Sequence, residues 1–441
     1  MMRAVLPDLK KRLLWVVASC VCLMLGQDVH GQTNGKKPEV LTGRTRALVD
    51  SVWRKFTLED LLEFRTHYRQ KTEELLAQKA QMRANAISDL ETFLQLHPDS
   101  PVLDQVIVRL AEMYIEQASY DFAARSEEYN RLLEQYDAGQ LKTLPKEPEK
   151  DFSRPFALYQ MLLDKFPRSE LVDDVLYSRA FLLEDLGQTD QALTQYQTLV
   201  QTRPESPYVP NALMRIAEYY FNPPNSDLEQ AIAYYNRVLE YKESPNYDAA
   251  LYRLGWAYYT LTDYPSAIAY FTLLADDVDR MRELDPQEKY HFPAVRDEAV
   301  EYVGISFVDF GGPERAAAFL QQIGGRPYGF DILKKIADSY LEAKEDIPKA
   351  ITAYELLLRL YPDAPEAPRI EAQLADAYER LNDEEHAYAH RRELFQRYRS
   401  GTGDAPTAPV SRRETGQLAA KAMRENINDL LRRAETSEDT R

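Results

Sequence analysis

Residues 251–274 of the chain read LYRLGWAYYTLTDYPSAIAYFTLL. Small, apolar and aromatic residues recur here at helical spacing, first at Leu251, Leu254, Gly255 and Tyr258, and then at Ala267, Phe271 and Leu274. Residues three and four apart lie on one face of a helix, so the stretch predicts two amphipathic helices joined by a short turn. Small residues at Gly255 and Ala267 allow the helices to cross closely. Such a pair leaves an apolar face open, which a stacked neighbour must cover.

The pattern recurs along the chain, and each copy is marked by a small residue in its first helix. The markers are Ala111, Ala180, Ala217, Gly255, Gly304, Ala337 and Ala375. Four of the six intervals between them lie close to a period of about 34 residues. The two long intervals predict insertions near 138–152 and 276–292, both of which we expect to be polar loops.

Several positions depart from the pattern. Arg179 and Glu371 stand where apolar residues are expected, and the helix that contains Ala350 arrives one residue late. The second helix of the Ala111 copy fits poorly at Glu127. We therefore predict that residues 153–166 form a second helix without a first helix of its own.

The pattern resembles the tetratricopeptide repeat, whose signature runs Trp, Leu, Gly, Tyr, Ala, Phe, Ala, Pro. The resemblance covers about residues 57–399 and implies an all-α, right-handed solenoid of antiparallel helix pairs, with about seven repeats plus end caps. Outside it we expect a signal peptide at 1–31, a polar segment at 32–56, a flexible linker at 400–416, and a C-terminal helix and tail at 417–441. That last helix either folds back as a cap or reaches a partner.

Proline-containing junctions separate the repeats. They read HPDSP (97–101), FPRSE (166–170), RPESP (203–207), KESP (242–245) and YPDAP (361–365). These junctions resemble the repeat ends of envelope tetratricopeptide proteins, among them the lipoprotein of the β-barrel assembly machinery and the periplasmic coordinator of the Tol–Pal system. Both kinds are adaptors without catalysis, so the resemblance implies a protein-binding role.

The N-terminus predicts export. A basic group at 10–12 precedes an apolar run at 13–26, and small residues favour cleavage after Gly31. The alternative is a lipobox, VASC at 17–20, in which Cys20 is acylated and anchors the chain to a membrane. The signal is bacterial in style and predicts a periplasmic protein, or else an outer-membrane lipoprotein.

Composition excludes several classes of function. The formal net charge is −17, which argues against phosphate contacts along a nucleic acid. Cys20 and Cys22 are the only cysteines of the 441 residues, so the rest of the chain has neither a disulfide nor a thiolate metal site. No later stretch is as apolar as the run at 13–26, so we expect no transmembrane helix in the mature chain.

Catalytic motifs are absent from the sequence. It has no glycine-rich phosphate loop, no nucleophile elbow and no HExxH. His386 and His390 are four residues apart and could begin a metal site, and Asp276, Asp277 and Asp279 could bind calcium. The simpler interpretation of both groups is a solvated charged surface. We therefore predict a protein that is not an enzyme, with no cofactor and no metal.

The resemblance also implies a concave groove lined by the first helices. Its positions fall on Tyr177, Phe181, Met214, Glu218, Phe221, Tyr252, Trp256, Tyr259, Lys334 and Asp338. Tyr252, Trp256 and Tyr259 form the densest aromatic cluster and are our first choice for a partner-binding site, because Tyr and Trp are common interface anchors. The alternative is that these rings pack against the neighbouring first helix.

The predicted function is a non-catalytic scaffold or adaptor of the bacterial cell envelope that binds a peptide or a helix of a partner protein. Two alternatives stay open. One is a subunit of an envelope motility, secretion or outer-membrane assembly complex. The other is a cell-wall glycan-binding protein that stacks sugars on its aromatic rings.

Overall fold

The computed structural model describes residues 58–284, 293–398 and 412–438. Within these ranges it contains sixteen helices and no strand. The helices are α1 (Leu58–Leu96), α2 (Leu103–Asp137), α3 (Ser153–Lys165), α4 (Val172–Asp185), α5 (Thr189–Thr202), α6 (Val209–Phe221), α7 (Leu228–Val238), α8 (Tyr247–Thr260), α9 (Tyr264–Leu284), α10 (Pro293–Asp309), α11 (Gly312–Gln322), α12 (Gly329–Asp338), α13 (Ile347–Leu360), α14 (Ala367–Arg380), α15 (Glu384–Tyr398) and α16 (Arg412–Glu438). The predicted signal peptide and the polar segment lie outside the described residues.

The chain divides into two compact units, Met1–Ala86 and Ile87–Arg441. In the first unit, the described residues form the long exposed part of α1. In the second unit, α2 to α15 form seven antiparallel helix pairs, each of which packs on the next. Within the described ranges the fold is thus an all-α solenoid, as predicted. Its core consists of two clusters of buried Leu, Ile, Val, Ala and aromatic side chains, one in the N-terminal and one in the C-terminal half of the array.

The prediction for the first pair was wrong. Residues 103–137 form one helix, and α3 is its partner rather than a second helix without a first. Only the N-terminal half of α2 is buried, through residues such as Ile107 and Ala118. The polar residues around Glu127 are exposed, because α2 extends beyond the end of its partner α3. The loop at 138–152 returns along this extension, where Arg125 Nη2 donates to the Glu149 carbonyl at 2.9 Å.

The second predicted insertion is also helical over its first half. α9 continues to Leu284, because Ala275 and Val278 are buried on its inner face. The acidic residues Asp276 and Asp279 of this stretch are not part of a solvated run. Asp276 accepts hydrogen bonds from Arg326 at 2.9 Å and from the Tyr328 hydroxyl at 2.6 Å. Asp279 is paired with Arg296, the Arg296 Nη2 to Asp279 Oδ2 distance being 2.9 Å.

The helix that contains Ala350 begins one residue later than the repeat pattern predicts, and the cause is local. α12 ends in a π-helical turn, Ser339–Ala343, in which the Lys344 amide donates to the Ser339 carbonyl at 3.0 Å. A π turn accommodates one extra residue without breaking the helix. The next helix then begins normally, since the Asp346 side chain caps it by accepting from the Lys349 amide.

The C-terminal helix packs against α15 and α14. It begins at Arg412, so the last residues of the predicted 400–416 linker are helical. Thr415, Ala419, Ala422 and Asn426 are buried. Arg391 of α15 is 3% exposed and forms ion pairs with Glu379, Glu425 and Asp429. No helix of the described ranges is both long enough and apolar enough to cross a bilayer.

Candidate functional site

A cleft of about 660 Å³ opens along the first helices of three consecutive pairs. α4 contributes Tyr177, α6 contributes Met214 and α8 contributes Arg253. The turn after α6, which contains Pro223 and Pro224, adds a further part of the lining. Ligand sites in proteins are commonly concave, with apolar walls and a few placed polar groups. This cleft is concave and has a more polar lining, in which a few apolar and aromatic side chains stand among amide and charged groups, and it is the candidate site of the described residues.

Of the predicted groove residues, the structure brings Tyr177, Met214 and Glu218 into this cleft. Tyr177 is half-buried and stacks on Tyr208, with ring centroids 5.1 Å apart. Phe181, one turn further along α4, is not part of the lining. It is 48% exposed, and the Arg215 guanidinium lies 5.9 Å from its ring centre. A large exposed ring beside a cleft is the kind of residue that anchors partners.

The predicted cluster Tyr252, Trp256 and Tyr259 lies outside the cleft. The three residues are half-buried and pack against α10, where the Trp256 and Tyr302 ring centroids are 4.3 Å apart. The Tyr252 hydroxyl donates to Glu298 of the same helix at 2.8 Å. These rings therefore join two neighbouring first helices, which is the alternative that the sequence left open. Phe221 is also outside the cleft, with Arg253 5.3 Å from its ring centre.

Three buried tyrosines of second helices donate hydrogen bonds to carboxylates of their own first helices. The pairs are Tyr196 with Glu184 at 2.7 Å, Tyr235 with Glu218 at 3.0 Å, and Tyr354 with Asp338 at 2.6 Å. Burial raises the pKa of each of these hydroxyls, so all three are protonated donors at neutral pH.

Each of these carboxylates also has a cation. The distance from Arg215 Nε to Glu184 is 3.9 Å, and from Arg253 Nε to Glu218 it is 2.7 Å. In both cases the arginine belongs to the following pair. At the third position, Lys334 of the same helix lies 2.8 Å from Asp338. We call these three groups of tyrosine, carboxylate and cation the polar ladder. Glu218, Lys334 and Asp338, which the sequence placed at groove positions, are thus partnered within the fold.

Sequence reasoning missed the polar floor of the cleft, in which Asn246 Nδ2 donates to Asn211 Oδ1. A signal for these residues was present. Both asparagines follow a proline, in PN at 210–211 and at 245–246, and they are one repeat apart. Arg215 and Arg253 likewise stand two residues before the marker residue of their repeats. Comparing the repeats at positions other than the apolar ones would have found all four.

His386 and His390 do not converge on one point. His386 is exposed and its Nδ1 lies 2.8 Å from Asp383 Oδ2. His390 is turned inward, and its Nδ1 lies 2.7 Å from Glu371 Oε1. The pair therefore does not form the start of a shared metal site. The interpretation as an exposed flank holds for His386 and is wrong for His390.

Models of known protein families match three stretches of the chain. Residues 225–282 match one tetratricopeptide-repeat model, and residues 174–206 and 334–364 match a second. These stretches are tetratricopeptide repeats. They correspond to α7–α9, α4–α5 and α12–α13. The two repeats at 174–206 and 225–282 contribute much of the cleft, and proteins with such repeats generally mediate protein–protein interactions.

Solved structures with similar chains include two tetratricopeptide-repeat proteins. A tetratricopeptide repeat protein from Parabacteroides merdae is 15% identical, with 69% of this chain and 99% of that chain covered and a TM-score of 0.28. The C-terminal part of a repeat-containing protein from Cytophaga hutchinsonii is 17% identical, with 65% and 94% covered and a TM-score of 0.31. No curated protein matches the sequence.

Proposed function

We propose that this chain is a non-catalytic adaptor that binds a peptide or a helix of a partner protein in the cleft between α4, α6 and α8. The observation that carries the proposal is the cleft itself, which three successive first helices line with Tyr177, Met214 and a row of amide and charged groups. The exposed Phe181 ring at its side offers an apolar anchor. Affinity would come from a few such residues rather than from the whole surface.

The proposed setting is the bacterial cell envelope. It rests on the predicted export signal at 1–31 and on the junctions that resemble those of envelope adaptors. Cleavage after Gly31 would leave the chain in the periplasm, and acylation of Cys20 would anchor it to a membrane. Within the envelope, the role would be to hold a subunit of an assembly, secretion or motility complex.

The test uses a matched pair of substitutions in the chain expressed from Gln32 onward. Met214→Arg places a long cation in the cleft, and Leu273→Arg places the same side chain on α9, where Leu273 is 53% exposed and outside the cleft. Proteins captured from an envelope extract by the parent chain are expected with Leu273→Arg and lost with Met214→Arg. Circular dichroism checks that both variants fold.

Two results would contradict the proposal. Equal capture of a partner protein by Met214→Arg and by the parent chain would show that the partner does not bind in the cleft. Retention of the parent chain on purified cell-wall sacculi, with no protein captured, would favour glycan binding instead.

The triple variant Tyr252→Ala, Trp256→Ala, Tyr259→Ala is expected to lower the stability of the chain, because the rings that it removes pack against Tyr302 of α10.

A further inference from the structure

One position of the repeat is apolar in six of the seven pairs and carries a carboxylate in the last. Four residues before each marker stand Ile107, Leu176, Leu213, Leu251, Val300 and Leu333, all of which are buried. In α14 the same position holds Glu371, which is 9% exposed. Burying a carboxylate where leucine would serve is costly unless the charge is compensated. The Glu371 carboxylate therefore needs a partner that compensates its charge, which an apolar residue at this position would not need.

The groups around Glu371 are metal ligands by type. His390 Nδ1 lies 2.7 Å from Glu371 Oε1, and Glu393 follows on the same helix, α15. Ligand atoms of Glu371, His390 and Glu393 all lie within 4.8 Å of one another. One imidazole and two carboxylates are donors that first-row divalent metals accept. Glu393 is exposed, so the group opens to solvent on one side.

The imidazole is held in place by its surroundings. The Tyr378 ring stacks on His390, with centroids 5.4 Å apart and planes 11° from parallel. The Tyr378 hydroxyl in turn donates to Glu355 at 2.5 Å, which fixes the ring. Metal-binding histidines are commonly oriented by such neighbouring contacts. His386, four residues earlier, is bonded to Asp383 and stays outside the group.

We propose that Glu371, His390 and Glu393 bind one zinc ion, with water in the fourth position. Tetrahedral bonds of about 2.0–2.2 Å place zinc donors roughly 3.3–3.6 Å apart. The donor atoms of Glu371 and His390, which lie 2.7 Å apart, would separate by less than about 1 Å to admit the ion, and the exposed Glu393 side chain would move in to complete the group. Zinc would take the place of the proton shared between the imidazole and Glu371. Bound there, it would clamp α14 to α15, the pair on which α16 packs.

The experiment is a zinc titration of the chain from Gln32 onward, which contains every described helix and lacks Cys20 and Cys22. Competition with a chromogenic chelator gives stoichiometry and affinity. One zinc per chain is expected, with affinity at least about tenfold lower in His390→Gln and Glu371→Gln. His386→Gln is the matched control and should bind like the parent. Zinc should also raise the melting temperature of the parent and not that of His390→Gln.

Glu393→Gln keeps the test decisive if a substitution at the buried Glu371 unfolds the chain. Glu393 is exposed, so the variant leaves the core intact, and it too is expected to bind zinc more weakly. A parent chain that takes up no zinc would overturn the proposal. Equal affinities for the parent, His390→Gln and Glu393→Gln would also overturn it, since any zinc bound would then lie elsewhere.

Discussion

Gly255 shows at the scale of one residue why the repeat needs a small side chain. A Cβ atom built on Gly255 would lie 2.6 Å from Cε1 of Phe271, well inside van der Waals contact. The ring of the second helix thus occupies the volume that a side chain would need. Gly304 is small for a different reason. Its nearest neighbours are the Ile332 carbonyl and Lys335 of α12, so it allows the next first helix, rather than its own second helix, to approach.

Gly255→Ala is expected to destabilise the chain by about 1–3 kcal/mol, because the Phe271 ring must move in a packed core. Gly416→Ala is the control, since nothing lies within 4 Å of a Cβ atom there. Alanine is the better helix former, so this variant should be neutral or more stable by up to about 1 kcal/mol. Urea denaturation measures both. Equal effects of the two substitutions would mean that the Phe271 contact does not matter.

The pair of His390 and Glu371 makes a prediction about pH. The hydrogen bond that protonated His390 donates to the Glu371 carboxylate raises the pKa of His390 above that of an unfolded histidine, about 6.5. A raised pKa adds stability below the unfolded value, and this stability is lost as pH rises through the folded value. In zinc-free buffer, the stability difference between the parent and His390→Gln should therefore be largest near pH 6 and shrink above the folded pKa. A difference that grows with pH would contradict this assignment.

At the scale of the element, Arg391 connects α15 to the C-terminal helix. It is buried and bridges Glu379 of α14 to Glu425 and Asp429 of α16. Removing one partner of a buried ion pair leaves uncompensated charge. Glu379 is half-exposed, and Asp429 and Glu425 keep Arg432 and Lys421 as partners, so Arg391→Ala should weaken the packing of α16 by about 1–2 kcal/mol.

Hydrogen exchange measures this effect directly. In Arg391→Ala, amides of α16 should exchange much faster, while those of α4 to α7 stay protected. Arg369→Ala is a useful comparison, because Arg369 pairs with Glu414 of α16 but is 46% exposed, and exposed pairs contribute little. Unchanged protection of α16 in Arg391→Ala would show that apolar contacts alone hold the helix.

Helix identity could largely be predicted from the sequence, and helix length could not. The period of apolar residues marked all seven first helices, because the same burial recurs in each. It failed for α2, because the exposed second half of that helix needs no apolar signal, and for α9, because Ala275 and Val278 are the only apolar residues that its extension buries. For the site, the aromatic positions were found and their contacts were not. Whether Trp256 faces a ligand or Tyr302 depends on the angle between repeats, which no local pattern encodes.

At the scale of the whole molecule, the array is close to one-dimensional, since each pair packs mainly on its neighbours. A destabilising substitution should therefore affect only its own helix pair and the neighbouring helices. Ile370 of α14 and Ile216 of α6 are both fully buried, and alanine at either costs about 2–5 kcal/mol. Ile370→Ala should speed amide exchange in α14 to α16 and Ile216→Ala in α4 to α8. A uniform loss of protection in either variant would mean that the array unfolds as one unit.

The polar ladder has a mechanical consequence. Arg215 and Arg253 each reach back to a carboxylate of the preceding pair, so two ion pairs join neighbouring repeats across the groove wall. Both arginines are partly exposed, so dissolved salt screens their attraction. Raised ionic strength should therefore weaken both of these links between repeats, and a partner carboxylate that binds either arginine would break one of them.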